Sequence, residues 1–491
     1  LIRKIDVPEY LNPSPNPLQL PTKSSEVQIK GAQPITLEQA IELAERNNRT
    51  IEQAKLQLEQ SQAALREAEA GLYPSIVFNG DLQLSTSAQG QITVNQQKEQ
   101  LERDLNSPDP QVRAQARISE PSLRQAFQNT DSARSQGELG LTLNYDLFTS
   151  GRRSGLIEAA ERQVRSSELQ LDQVSSQTRF DVSDAYYQLQ DAEAQILINE
   201  AAVKSSESNL KDTQAQLDAG LGTKFDVLRV QVELANNKQQ LTNAIANREI
   251  QRRQLAQRLS LPESVIVVPA DKPDEKAGEW PLDLNRTIIL AYKNRAELEQ
   301  QLVQREISEA RRKVALSALG PTISLTAQWN FAQVLNLGND IAANGDGYLF
   351  GAQARWSLFD GGAAQAQALQ QVKNKEIAES RFAQAREAIR FEVEQAYATL
   401  LANQESIGTT QTAIRQAEEA VRLAILRFQA GVGTQTDRIN AEADLTRARG
   451  NYVSASIGYN RSLAQLRRAV SNLPPDLSKL ANLMQPALGQ P

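Results

Sequence analysis

Four short stretches of the chain alternate apolar and polar residues with a period of two. In 74–86, Ile76, Phe78, Leu82 and Leu84 alternate with Val77, Asn79, Asp81 and Gln83. In 138–148, Leu139, Leu141, Leu143, Tyr145 and Leu147 alternate with Gly140, Thr142, Asn144 and Asp146. Ile323, Leu325, Ala327, Trp329 and Phe331 share one face of 321–331, and Tyr348, Phe350, Ala352, Ala354, Trp356 and Leu358 share one face of 347–359. Successive strand side chains point to opposite faces, so each stretch predicts a strand with one apolar and one polar side. Their lengths are near that needed to cross a bilayer at a tilt.

Between the strands the apolar residues recur at helical spacing. Helices are expected over Thr36–Leu72, opened by a Thr36/Gln39 capping box, over Gly151 to about Ala219, and over Thr223 to Ser260. A second set is expected at about 283–319, 362–430 and 434–471. Each long helix spans roughly 100 Å at ~1.5 Å per residue, about twice the length of its neighbours. Two half-length helices therefore match one long one. Val182, Leu189, Ile196, Val203, Leu210 and Leu217 recur every seventh residue, as do Val393, Leu400, Ile407, Ile414, Val421 and Phe428. This heptad series predicts knobs-into-holes packing.

The two sets are copies. LFTSGRRSG (147–155) is repeated by LFDGGAAQA (358–366), and QLDAGLGTKFDVL (216–228) by RFQAGVGTQTDRI (427–439), both 211 residues on. AIELAERNN (40–48) is repeated by TIILAYKNR (287–295), and Tyr73-Pro74 by Gly320-Pro321, 247 residues on. The excess of 36 residues lies between the strands of the first copy. A period this long indicates duplication of a whole structural unit. The expected organisation is a Pro-rich extension at 1–33 and a first repeat at 34–260, with strands 74–86 and 138–148 and a loop at 87–137. A linker at 261–281 leads to a second repeat at 282–473, with strands 321–331 and 347–359 and a loop at 332–346, then a tail at 474–491. The first loop has room for a short helix near Val112–Ile118.

Composition narrows the chemistry. The chain has no Cys and no His, which excludes disulfides, thiolate and imidazole catalysis and Cys/His zinc sites. A net charge of −6 with interspersed signs gives no attraction to nucleic acid. No phosphate loop or nucleophile elbow is present, so neither an enzyme nor a cofactor is expected. LGNDIAANGDG (337–347) lacks the acidic spacing of a calcium loop and no metal is expected. No window approaches the ~20 apolar residues of a membrane-spanning helix. If the chain crosses a membrane it does so with closed β-structure.

Alternation alone suits either a soluble sheet on a core or a barrel with a wet lumen. Helices this long and narrow make a poor cap for an isolated sheet, which favours the barrel. Four strands cannot close around a channel, but three chains supply an even number that closes without edges. Trp329 and Trp356 are candidates for the aromatic membrane interface.

The duplicated helix–strand–strand–helix pattern, with AG-x-G-T-x-x-D at Ala219–Asp226, its partial copy at Ala430–Asp437, and the strand exits LFTSGR and LFDGG, resembles the TolC-type outer-membrane efflux protein family over residues 34–474. The resemblance implies a mixed α/β membrane protein. It would form a homotrimeric twelve-stranded β-barrel continuous with a twelve-helix periplasmic α-barrel, each chain giving four strands and two long plus four half-length helices. It implies an exit duct for drug efflux or type I secretion in the outer membrane of a Gram-negative-type bacterium. A periplasmic adaptor and an inner-membrane transporter of RND or ABC type would be its partners. Gly220, Leu221, Gly222 and Thr223, with Gly431, Val432, Gly433 and Thr434, would form the periplasmic tips where the adaptor docks. Asp437 matches a position at the constricted pore entrance, Asn440 stands where relatives have a second acid, and Asp226 is the corresponding acid of the first copy. Well-capped helical turns explain the same residues without a partner. A periplasmic adaptor and an elongated coiled-coil scaffold remain the alternatives.

Overall fold

The computed structural model describes residues 11–12, 16, 18, 20–28, 31–85, 88–131, 134–262, 264–273, 275–336 and 341–471. In these the chain runs β1 (Gly31–Ile35), α1 (Leu37–Asn47), α2 (Arg49–Ala70), β2 (Ser75–Ser85), α3 (Ala88–Leu105), α4 (Pro110–Asp131), β3 (Arg134–Phe148), α5 (Arg152–Asp218) and α6 (Lys224–Arg258). It continues through β4 (Val265–Pro269), α7 (Leu284–Asn294), α8 (Ala296–Ser317), β5 (Thr322–Asn336), β6 (Ile341–Arg355), α9 (Ala363–Gln429) and α10 (Gln435–Val470). It divides into a helical unit, residues 1–62, 162–306 and 375–491, and a sheet unit, residues 63–161 and 307–374. The tail at 474–491 and most of the Pro-rich extension lie outside the described residues.

In the helical unit the heptad positions form the core. Val182, Leu189, Val393 and Leu400 are buried, but further along α5 the enclosed residues are Ser206, Asn209 and Thr213, while Leu210 and Leu217 are only half-buried. The packing thus turns polar toward the α5–α6 turn. Each of the helices expected over Thr36–Leu72 and 283–319 is in fact two, broken at equivalent positions with extended backbone, Asn48 and Arg295. The cause is a side chain that serves other partners. Asn48 Oδ1 accepts from the Thr50 N–H at 2.8 Å and starts α2, while its Nδ2 donates to the Arg258 carbonyl at 2.9 Å. Arg295 Nη1 donates to the matching Ala469 carbonyl at 3.2 Å. Two of the four half-length helices are therefore split.

The linker is also more ordered than its turn-rich sequence predicts. β4 lies within it and pairs in parallel with β1, from Gly31↔Val265 to Ile35↔Pro269. Tyr186 anchors this pair to α5, donating at 2.7 Å to Asp271 Oδ2 with its hydroxyl 3.0 Å from the Ile35 carbonyl. In the second repeat Trp280 Nε1 donates to Thr287 Oγ1 at 2.9 Å beside a core of Leu290, Val393, Leu463 and Leu466.

The sheet unit carries one antiparallel sheet of order β2-β3-β5-β6. Its register aligns Phe78, Leu141, Trp329 and Tyr348 in one row across all four strands, and Ile76, Leu143, Ala327 and Phe350 in the next. The other face aligns Ser75, Asn144, Thr326 and Gly351, then Asp81, Glu138, Ala332 and Gly345. A bulge after Asp146 brings Phe148 opposite Ile323, so Phe148 takes the place on the apolar face expected for Leu147. Where β3 hands over to α5, Gly320 lies against Ser150: a Cβ there would stand 2.3 Å from Ser150 Oγ.

The boundaries of three strands differ from expectation. β3 begins at Arg134 rather than 138, β5 runs on to Asn336, and β6 starts at Ile341 and ends at Arg355. The expected loop at 332–346 is thus ladder apart from 337–340, which lie outside the described residues. Alternation fades there because apolar and polar residues mix on both faces, Gln333 and Asn344 following Phe331 on one and Val334 pairing Ala343 on the other, yet ladder hydrogen bonds do not depend on side-chain polarity. In the first hairpin, α3 and α4 fill most of 87–137, far more than a short helix at Val112–Ile118.

Candidate functional site

Two features of the chain leave large apolar side chains exposed. The first is the pair of helical turns. At the first, the N–H groups of Leu221 and Gly222 both bond the Gln216 carbonyl, at 2.8 and 3.1 Å, and Gly220 has φ +73°. At the second, Val432 and Gly433 both bond the Arg427 carbonyl at 3.0 Å, and Gly431 has φ +73°. The next helix then opens with a capping box: Thr223 with Asp226, Thr434 with Asp437. Left-handed backbone suits Gly. Gly431→Ala is expected to cost about 1–2 kcal/mol, read as a lower unfolding temperature with no change in ion preference if the turn is otherwise intact.

The tips expose what folding normally hides. Leu221 is 83% exposed and Val432 70%. Gly222, Thr223, Gly433 and Thr434 line the same turns, with Asn440 exposed one turn into α10. Asp437 is exposed, and the Thr434 backbone and hydroxyl donors hold its carboxyl below the usual carboxylate range. Its charge is therefore fixed at neutral pH, and its orientation is set by the cap.

Sequence reasoning missed the residues that tie the two tips together. Gln435, 3% exposed, donates through Nε2 to Asn209 Oδ1 at 2.6 Å. Arg438 on α10 reaches Asp212 on α5 at 3.3 Å and Glu442 at 3.1 Å, and Arg229 on α6 donates to Thr436 Oγ1 at 2.6 Å. Gln435 Oε1 is enclosed without a hydrogen-bond partner. A polar residue at a coil position was the available signal: Asn209 and Thr213 sit beside the heptad residue Leu210.

The second feature is the sheet, which buries neither face within its own chain. All of β2 is exposed, and Phe78, Tyr348 and Phe350 are 64%, 80% and 77% exposed. Trp329 lies in the Phe78 row, and Trp356, just past β6, donates from Nε1 to the Leu319 carbonyl at 2.9 Å. Asp81 and Glu138 stand directly opposite each other on the polar face. Like charges so placed destabilise a sheet. Among the described residues no helix is long and apolar enough to cross a membrane.

The model of the outer membrane efflux protein family matches residues 40–260 and 287–472, most of both repeats. The chain belongs to the outer membrane efflux protein family. It is accordingly a non-catalytic transport protein, an exit duct for efflux or secretion in the outer membrane with its helical part in the periplasm, and the adaptor and scaffold readings fall away.

Solved structures of similar fold include the outer membrane protein VceC of Vibrio cholerae, 17% identical with a TM-score of 0.69 over 89% of this chain and 97% of that one. The CmeC outer membrane channel of Campylobacter jejuni is 16% identical with a TM-score of 0.70 over 96% and 98%. The open-state MtrE outer membrane channel of Neisseria gonorrhoeae is 18% identical with a TM-score of 0.69 over 95% and 97%. Among curated protein sequences none matches the chain.

Proposed function

We propose that the efflux duct is a homotrimer in which four strands from each copy close a twelve-stranded β-barrel in the lipid bilayer and the helices close a twelve-helix α-barrel in the periplasm. The observation that carries this is the sheet with two free edges, β2 and β6, and two uncovered faces. Closure between copies satisfies the edges, lipid covers the Phe78 face, and water fills the Asn144 face. Tyr348 and Trp356 are eight positions apart. At ~3.3 Å per residue and a tilt near 40°, that is about 20 Å, close to the height of an apolar band bordered by aromatic residues. Trp329 beside Tyr348 then marks the outer border and Trp356 the inner.

The exposed Leu221 and Val432 tips dock a periplasmic adaptor, which links the duct to an inner-membrane transporter of RND or ABC type. That transporter supplies the energy for drug efflux, type I secretion, or both. Asp437, with Asp226 behind it and Asn440 one turn on, forms the charged entrance, one carboxylate from each copy favouring cations. The test is single-channel recording in planar bilayers. The parent protein is expected to give unitary, cation-preferring currents, and Asp437→Asn to lower that preference and weaken block by multivalent cations. Glu138→Gln on the barrel wall serves as the comparison, with a smaller loss because the barrel is wider than the entrance. Unchanged selectivity in Asp437→Asn places the restriction elsewhere.

A further inference from the structure

The α3–α4 hairpin is short of a partner. Its core consists only of its own residues: Val94, Leu101, Ala116 and Phe127, with Leu105 and Leu123 half-buried around them. The two helices have 18 and 22 residues. Chains near 40 residues without disulfides or metals rarely bury enough surface to hold a fold without oligomerisation. The hairpin has no Cys and no His. Isolated helices of this length are marginal in water as well.

The surface it leaves uncovered is patterned. Ile92 on α3 and Ile118 on α4 are 51% and 73% exposed, each two positions from a core residue and so on the side turned away from the core. Between core and outer side, α3 carries Glu99 and Glu102, while α4 carries Arg113, Arg117 and Arg124. Among the described residues, Glu99, Glu102 and Arg117 have no ion-pair partner in their own chain. The α3 flank is mainly acidic, with Arg103 beside Glu99, and the α4 flank mainly basic, with Glu120 paired to Arg124 at 2.8 Å. Such a surface is complementary to another copy of itself placed head to tail, the arrangement that closes into a ring.

The hairpin also rises from the right place. It leaves the sheet at the end of β2, and β2 is a free edge of the sheet. A hairpin beside the seam between two copies stands next to the neighbouring copy's hairpin rather than alone.

We propose that the three hairpins of the assembled duct pack against one another, α3 of one copy against α4 of the next, and form a six-helix collar around the outer mouth. This rests on the trimeric barrel proposed above. Glu99 and Glu102 of each copy face Arg117 and Arg124 of the next, and the exposed isoleucines are covered in the same contact. The collar fixes the width of the exit and gives the outer rim a contact between copies that the barrel seam does not supply.

The cysteine-free chain makes the test clean. Two variants of the full-length protein are prepared in detergent, Glu102→Cys with Arg117→Cys and Glu99→Cys with Arg124→Cys. Each is oxidised with copper phenanthroline and run on non-reducing gels before and after heating. The expected result is covalent dimers and trimers taking up more than half of the heated protein in at least one variant, reversed by reductant and absent from each single-cysteine control. Heated protein that runs only as monomer in both variants, while the unheated protein runs as a trimer, overturns the collar and leaves the barrel standing. Unheated protein that is not trimeric overturns the barrel reading, and the collar with it.

Discussion

Arg438→Ala is expected to raise the open probability of the duct more than any other single change in the tips. The guanidinium is almost enclosed, 7% exposed, and bridges Asp212 on α5 to Glu442 on α10. It thereby joins the α5–α6 tip of the first repeat to the α10 helix of the second. Asp212 is 53% exposed, so solvent weakens that half of the bridge, and the loss is set at about 1–3 kcal/mol rather than the full value of a buried pair. If opening separates α5 from α10 at this bridge, then at ~1.4 kcal/mol per tenfold change the ratio of closed to open tips falls by roughly 5- to 100-fold. The packed arrangement already carries a cost, since Gln435 Oε1 is enclosed without a partner, a penalty of about 1–3 kcal/mol. Planar-bilayer recording is the measurement. Arg438→Lys should fall between the parent and Arg438→Ala, because a point charge does not hold two carboxylates as a planar fork does. Equal conductance and open probability in all three would exclude a latch at this position.

Arg295→Ala is expected to cost the most stability, about 3 kcal/mol. Its side chain is 4% exposed and is held by Glu297, Glu392 and the Ala469 carbonyl, while Arg468 bonds Glu297 at 3.0 Å from the other side. Truncation leaves the mostly buried Glu297 short of a cation, the costly way to break a buried pair, whereas Glu392, 49% exposed, can turn to water. The remaining Arg468 contact keeps the estimate at the lower end. The pH dependence has a definite sign. Burial pushes the Glu297 carboxyl up, but the hydrogen bonds and charge of Arg295, with help from Arg468, outweigh it and hold the group below its ordinary value. A depressed folded value means that the contribution is complete above the unfolded value of about 4.3 and is lost as pH falls through the folded one. The deficit of Arg295→Ala against the parent, measured as thermal unfolding in detergent, should thus be full at pH 7 and shrink in acid below about pH 4. Arg295→Asn is the discriminating variant. It places at this break the residue found at the equivalent break of the first repeat, Asn48, and should recover the carbonyl bond but not the ion pairs. A variant as stable as the parent would mean that the ion pairs contribute nothing.

These two sites also mark where the sequence stopped being readable. Strands, long helices and the duplication are local or periodic signals, and Phe78, Leu141, Trp329 and Tyr348 could be placed on one face by counting in twos. That they form one row could not, because register between strands is set by pairs distant in the chain. The tip turns were legible down to their caps, since Gly and Thr at those spacings have a specific backbone use. The ties among Asn209, Asp212, Gln435 and Arg438 were not, for an Arg on a charged helix looks the same whether solvated or enclosed. The breaks at Asn48 and Arg295 were hidden for the same reason, as each depends on a carbonyl at the end of another helix. Polar strand residues at 332–346 were read as loop because hydrophobicity was taken as the mark of a strand, which fails once a ladder runs past its apolar band. The second strand of the β1–β4 pair fell in a stretch whose prolines and charges had suggested only a linker.

The order of the sheet carries a record of ancestry. The two repeats meet where β3, the last strand of the first, pairs with β5, the first strand of the second. The edges left free are β2, the first strand of the first repeat, and β6, the last strand of the second. A chain of one repeat would offer the same two kinds of edge, a first strand and a last strand, and six such chains would close the ring that three close in the proposed trimer. Joining two repeats in one chain turns every second seam of such a ring from an encounter between molecules into a pairing within one, here β3 with β5. Two joined copies are also free to differ, and here only the first repeat carries two described helices, α3 and α4, between its strands.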